Sequence, residues 1–150
     1  MTVVIRAIEL ADRAIWDGLW GQYQVFYKTK IAAETSDVTF KRLFDPSVPI
    51  NGLVAEVGGK VVGIVHYIFH YSTWTVGPYC YLQDLYTSAE ARGRGVATKL
   101  IEAVYEKAGV HGAARVYWLT HETNEVAIKL YEKVADKSGF IQFRKMMPTA

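Results

Sequence analysis

Two periods of apolar and polar positions organise the chain. Val3, Val4 and Ile5 make residues 2–7 a predicted first strand. From residue 12 to about residue 28 the period becomes helical: Ile15, Leu19, Tyr23 and Phe26 fall on one stripe, with Trp16 and Trp20 beside it. Most of that stripe is expected in the core, and its many large rings also suit the wall of a binding cleft. Glu9 and Asp12 stand where a helix start favours acids. Ser36 and Asp37 are expected to cap a short helix through Phe40, Leu43 and Phe44, ended by Pro46 and Pro49. Residues 53–57 and 61–71 read as strands joined by a Gly58-Gly59 turn, and residues 79–86 as the next strand. A long helix follows, with Ala97, Leu100, Ile101, Val104 and Ala108 on one face and Gly109 and Gly112 at its end. Residues 115–120 predict a strand, 124–134 a helix and 141–145 a closing strand. The order β-α-α-β-β-β-α-β-α-β is that of a mixed α/β sheet. Its fourth and fifth strands are parallel and joined by a right-handed crossover. With no internal repeat or linker, residues 1–150 read as a single domain.

Composition narrows the class. The chain is 150 residues long and 51% hydrophobic, enough for a real core and too apolar for disorder. A net charge of +2 argues weakly, at most, for nucleic acid, and no nucleic-acid partner is expected. The single cysteine, Cys80, excludes a disulfide framework and a cysteine-based zinc site, and its strand position reads as a small buried hydrophobe. His66 and His70, four apart on a strand, share a face, but no carboxylate completes a metal set in sequence. They read as ordinary strand histidines, and no metal is expected. The N-terminus lacks the features of a signal peptide and no run approaches a membrane span, so a cytoplasmic setting is the expectation.

The richest candidate chemistry lies between residues 79 and 108. A strand leads through Thr87 and Ser88 into Arg92-Gly93-Arg94-Gly95-Val96-Ala97, where the long helix opens. The first helical turn has free backbone N–H groups and the positive end of the macrodipole. Two glycines admit close approach, and two arginines add positive charge. Together they form an anion site, most simply for phosphate. A P-loop would need Gly-Lys-Ser/Thr, which is absent. A dinucleotide fingerprint would need glycine where the chain has Thr98, and an acid after a next strand that ends Trp118-Leu119-Thr120. Acyl-coenzyme A is the third reading; a solvated turn or part of an RNA-binding tail are the plainer ones.

Arg92-x-x-Gly95-x-Ala97 after a strand resembles the Gln/Arg-x-x-Gly-x-Gly/Ala signature of the GNAT (GCN5-related) N-acetyltransferases. The likeness covers essentially the whole chain and is greatest to the Hpa2-like histone/polyamine acetyltransferases. It is carried by the 16–27 helix, Leu43-Phe44-Asp45-Pro46, Asp84-Leu85-Tyr86, Val116-Tyr117-Trp118 and Glu122-x-Asn124-x-x-Ala127-x-x-Leu130-Tyr131. The resemblance implies a GNAT-type sheet with strands 4 and 5 splayed apart to admit acetyl-CoA. It also implies pantetheine paired to the backbone of Leu85, Tyr86 and Thr87, and pyrophosphate on the backbone of Arg92, Gly93, Arg94, Gly95, Val96 and Ala97. The Arg92 and Arg94 side chains either touch phosphate or stay solvated. Asn124 is implied to face the cofactor, and Tyr131 to be the general acid.

The amine acceptor needs a base, because a primary amine is protonated near neutral pH. Relatives often carry Glu one residue before the strand-4 Asp; this chain has Gln83. Asp84 is the nearest replacement, with Glu122 and Glu125 weaker, and a purely structural Asp84 is the competing reading. Alternation sets Gln83 and Asp84 on opposite faces unless a bulge intervenes. Relatives also place Gly four residues after the Tyr, where this chain has Ala135. The expected activity is direct acetyl transfer from acetyl-CoA to a polyamine, another small amine or a lysine side chain. A non-catalytic acyl-CoA-binding or sensing domain is the alternative that Gln83 leaves open. No membrane partner is expected, and a homodimer follows weakly from the C-terminal contacts of relatives.

Overall fold

Strand pairing follows the apolar runs. The computed structural model describes residues 2–149 and divides into two units, Met1–Leu119 and Thr120–Ala150. In the first unit, β1 (Val3–Ala7), β2 (Ile50–Val57), β3 (Lys60–His70), β4 (Tyr79–Thr87) and β5 (Arg115–Tyr117) form one sheet in the order β1-β2-β3-β4-β5. The first three pairings are antiparallel and β4–β5 is parallel. Gly58 and Gly59 join β2 to β3 with φ of 60° and 79°, the left-handed geometry that a tight hairpin demands and glycine supplies.

β3 is buried almost from end to end, because helices cover both of its faces. Gly63 and His66, three positions apart, point to opposite sides. A Cβ at Gly63 would meet Val96 and Leu100 of α3 (Val96–Val110), whereas His66 meets Trp16 of α1 (Arg13–Phe26). Gly63 therefore lets α3 sit close against the sheet here. The α3 face buries Val96, Leu100, Ile101, Val104 and Ala108. Val96 takes the place foreseen for Ala97, and Gly109 lies inside the helix rather than ending it.

The α1 stripe differs from its expected position. Trp16, Leu19 and Trp20 are buried, while Ile15 and Phe26 are exposed. Trp16 and Trp20 stack at 5.7 Å and pack with Phe40, Ile8, Val54 and Ile64. The larger rings remove more apolar surface from water, so the helix turns them inward. α2 (Ala33–Arg42) starts before Ser36. Ser36 is not its cap: the Trp20 indole donates to Ser36 Oγ at 3.1 Å, and burying that indole recruits the hydroxyl as acceptor. Glu9 and Asp12 form a capping box on a 3₁₀ turn (Leu10–Asp12) leading into α1. The Arg6 guanidinium grips both Asp12 oxygens at 2.8 and 2.9 Å. It holds that carboxyl below its usual range, assisted by the Glu9 backbone N–H. Cys80 is fully buried, and burial pushes its thiol up to about 11.

The second unit contains α4 (Glu125–Val134), with Asn124 at its N-cap position. The strand expected at 141–145 is not formed: residues 136–149 carry no regular element, and Phe140, Ile141 and Phe143 are exposed. An alternating apolar pattern makes a strand only when a neighbour completes its hydrogen bonds. Among the described residues no helix is long and apolar enough to cross a membrane.

Candidate active site

At its C-terminal half β4 has a partner on one side only. The parallel ladder to β5 stops at Tyr81↔Tyr117, three residues short of where the sequence predicts that β5 ends. Beyond it, Leu85, Tyr86 and Thr87 pair with Val65, Ile64 and Gly63 of β3. Among the described residues no strand pairs with their other edge, which leaves backbone groups there suited to an extended ligand.

The end of β4 feeds the Arg92–Ala97 glycine turn. A 3₁₀ turn (Ala89–Ala91) leads through Arg92 to Gly93 and Gly95, with φ of 81° and 75°. Gly95 is the N-cap of α3 in a left-handed conformation, and the Lys99 N–H donates to its carbonyl at 3.1 Å. The N–H groups of Val96 and Ala97, ahead of that first helical bond, carry the helix's positive end. A Cβ at Gly93 or Gly95 would touch nothing within 4 Å, so the backbone demands glycine while the space above it stays open. Arg94 is exposed. The Arg92 guanidinium lies 5.8 Å from the Phe26 and Tyr86 ring centroids, bracketed by aromatic faces beside β4. Thr87 Oγ1 and Ser88 Oγ are buried without a hydrogen-bond partner, two orphaned polar atoms where strand becomes turn.

Asp84 lies at a bulge. Opposite β3, His66 pairs with Asp84 and Tyr67 with Leu82, so Gln83 is the extra residue. Gln83 is exposed and Asp84 buried. The Asp84 carboxylate accepts from the Tyr23 hydroxyl at 2.6 Å through one oxygen, and lies 3.0 Å from His66 Nδ1 through the other. The Trp16 indole N–H donates to His66 Nε2 at 3.0 Å. An indole N–H only donates, so Nε2 must accept and Nδ1 carries the proton given to Asp84. Burial first, then the Asp84 charge, pushes the Tyr23 phenol well above its usual range, so it remains a donor. His66 and His70 do point to the same side of β3, yet His66 is buried and His70 is exposed, bonded to the Tyr117 hydroxyl at 2.7 Å. Among the described residues no cluster of metal-ligating side chains occurs.

On the second unit, Asn124 stands at the N-cap of α4 and Tyr131 within the helix, seven residues and about two turns further on. Glu122 and Glu125 are exposed. A cavity of about 410 Å³ between Phe44, Pro46, Ile50, Phe69 and His111 lies elsewhere. It sits at the C-terminal end of α3, the length of that helix, roughly 22 Å, from the glycine turn, and contains none of the candidate residues.

The strand order, with β4 parallel to β5, and the glycine turn that opens α3 are the arrangement that the acetyltransferase resemblance leads one to expect. The sequence pattern of the acetyltransferase (GNAT) family matches residues 13–136, and the chain belongs to that family. It is similar to the D-amino-acid N-acetyltransferase HPA3 of Saccharomyces cerevisiae, 39% identical over 95% of this chain and 90% of that protein. It is also similar to the thialysine N-epsilon-acetyltransferase of Mus musculus, 35% identical over 61% of each chain. Among solved structures, AAC(6')-Iy in complex with a CoA-linked bisubstrate analogue superimposes with a TM-score of 0.84 at 17% identity, over 99% of this chain and 100% of that one. At that identity the likeness shows the fold alone. The protein is therefore an acetyl-CoA-dependent N-acetyltransferase, and its likeness to these relatives agrees with the Hpa2-like subgroup.

Neither Tyr23 nor His66 stood out in the sequence as a partner of Asp84. Tyr23 carries a signal only as one ring of the α1 stripe. His66 carries one only as half of the His66/His70 pair, and its actual partners lie 50 and 18 residues away.

Proposed function

We propose that residues 1–150 act as one domain that transfers acetyl directly from acetyl-CoA to the primary amine of a small, amino-acid-like acceptor. A polyamine and a lysine side chain are the other members of the acceptor class. The carrying observation is the juxtaposition of the one-sided β4 edge with the left-handed glycine turn of α3. Relatives named for D-amino acids and thialysine support a small acceptor that bears a carboxylate as well as an amine.

Leu85, Tyr86 and Thr87 hold the pantetheine arm through backbone groups, as an added strand would be held. Val96, Ala97 and the Arg92–Gly95 backbone hold the pyrophosphate, and the orphaned hydroxyls of Thr87 and Ser88 fit a polar ligand at this corner. Acetyl-CoA, when bound, supplies a thioester-activated acetyl group. A backbone N–H near Leu85–Thr87 steadies the charge that develops on the acyl oxygen. Asp84 draws the proton from the acceptor amine, Tyr131 on α4 returns one to the departing thiolate, and Asn124 orients the cofactor.

Free-thiol release from acetyl-CoA with D-amino acids, thialysine, spermidine and a histone-tail peptide tests this reading. Acceptor-dependent release, greatest with the small amino acids, is the expected result. Silence across the panel with intact acetyl-CoA binding would leave a binding or sensing domain instead. In the same assay Tyr131→Phe lowers turnover roughly 10²-fold while acetyl-CoA affinity stays unchanged.

A further inference from the structure

The Asp84 carboxylate cannot meet an amine unaided. It is 8% exposed, and both of its oxygens are engaged. Tyr23, which caps one of them, is the more exposed partner. Its side chain reaches across from α1, stacked on Trp20 at 4.9 Å and tilted against Tyr27 at 4.7 Å, so packing fixes its hydroxyl on the carboxylate. The phenol oxygen spends its hydrogen on Asp84 and keeps lone pairs to accept another.

We propose that Tyr23 is a catalytic proton relay between the acceptor amine and Asp84, and that His66 and Trp16 are the positioning residues that stop the proton at Asp84. This rests on the N-acetyltransferase reading above. In the step, one N–H bond of the acceptor ammonium breaks and the amine keeps its electron pair. That proton bonds to Tyr23 Oη as the original Tyr23 O–H proton moves to Asp84 Oδ1. Tyr23 is a neutral phenol before and after, and Asp84 passes from carboxylate to carboxylic acid.

The network tolerates this change without an unmatched group. The new Asp84 hydroxyl donates back to Tyr23, and His66 Nδ1 still donates to the other oxygen. A second proton on His66 would instead set Nε2–H against the Trp16 indole N–H, donor facing donor. The proton therefore halts on the carboxylate. The other titratable groups around the pair are Tyr27 at the C-cap of α1 and Tyr81 on β4, which burial and the same Asp84 charge keep protonated. Gln83, exposed at the bulge, contributes no charge. The relay thus supplies this chain with a base where Gln83 stands instead of an acid.

The test is the pH dependence of kcat/KM for Tyr23→Phe, with acetyl-CoA and, in turn, D-alanine, thialysine and spermidine. Phenylalanine keeps the ring packing and removes only the hydroxyl. At pH 7 the variant is expected to fall about 30- to 100-fold. It then rises with the free-amine fraction and comes within a few-fold of wild type near pH 10, where the amine no longer needs a base. A merely structural role would lower activity by a constant factor at every pH. Asp84→Asn and the double variant should match Tyr23→Phe at neutral pH, since one pathway is lost only once. Parallel pH profiles for wild type and Tyr23→Phe would overturn the relay while leaving the transferase reading intact. A wild-type protein that releases no thiol with any acceptor would overturn both.

Discussion

The glycine turn of α3 and the network beneath α1 lie at the two ends of one short segment of β4 and the loop after it, yet they are built on opposite principles. The turn works through contiguous backbone. Two glycines with positive φ expose N–H groups at a helix start, and side chains are secondary. The Trp16–His66–Asp84–Tyr23 chain works through side chains from α1, β3 and β4 that meet only on folding. A ligand that binds backbone can be held by a short local motif. A proton acceptor whose charge must be sheltered needs partners from several directions, because a buried carboxylate without donors is costly.

Breaking each region in turn should separate binding from stability. Gly95→Glu strikes the turn hardest: it forces a left-handed backbone onto a β-carbon and adds a negative charge where phosphate is expected. Acetyl-CoA binding by calorimetry should weaken at least ~100-fold, about 2.7 kcal/mol, while the thermal midpoint falls only slightly. Trp16→Phe should do the reverse. It leaves His66 Nε2 without its donor and opens space in a fully buried site. A stability loss of about 2–3 kcal/mol is expected in denaturant melts, with acetyl-CoA affinity preserved.

Asp12→Asn tests the anchor that fixes the start of α1. Asp12 is held below its usual range, chiefly by the Arg6 guanidinium. It therefore contributes stability above the ordinary carboxylate value near 4 that is lost as the pH falls through its lower folded value. The variant should be about 1–2 kcal/mol less stable at pH 7, and the gap to wild type should close progressively as the pH drops below about 4. A gap constant down to pH 2 would remove Arg6–Asp12 from the acid response. The smallest effect is expected from Arg94→Ala, whose side chain is exposed. Acetyl-CoA affinity should drop less than about fivefold, under 1 kcal/mol, and less still in high salt. A loss as large as that of Gly95→Glu would mean that the turn holds its anion by side chains after all.

Much of this molecule was legible from the order of residues. The strand and helix order as far as α4, the Gly58-Gly59 hairpin and the parallel β4–β5 pairing followed from periodicities of two and 3.6, and the acetyltransferase family from the resemblance that Arg92-x-x-Gly95-x-Ala97 carries. These are local properties: a turn that needs positive φ selects glycine wherever the rest of the chain lies. Tertiary packing decided what periodicity leaves equivalent. The α1 stripe turned until Trp16 and Trp20, rather than Ile15 and Phe26, faced the core. Ser36 became an indole's acceptor instead of a cap. Residues 141–145 kept a strand's apolar alternation but formed no strand, because alternation supplies a face and not a partner. The bulge at Gln83 and the His66–Asp84–Tyr23 contacts were decided the same way. They depend on the register of two strands and on a helix laid across them, and no short stretch of sequence encodes where those three elements meet.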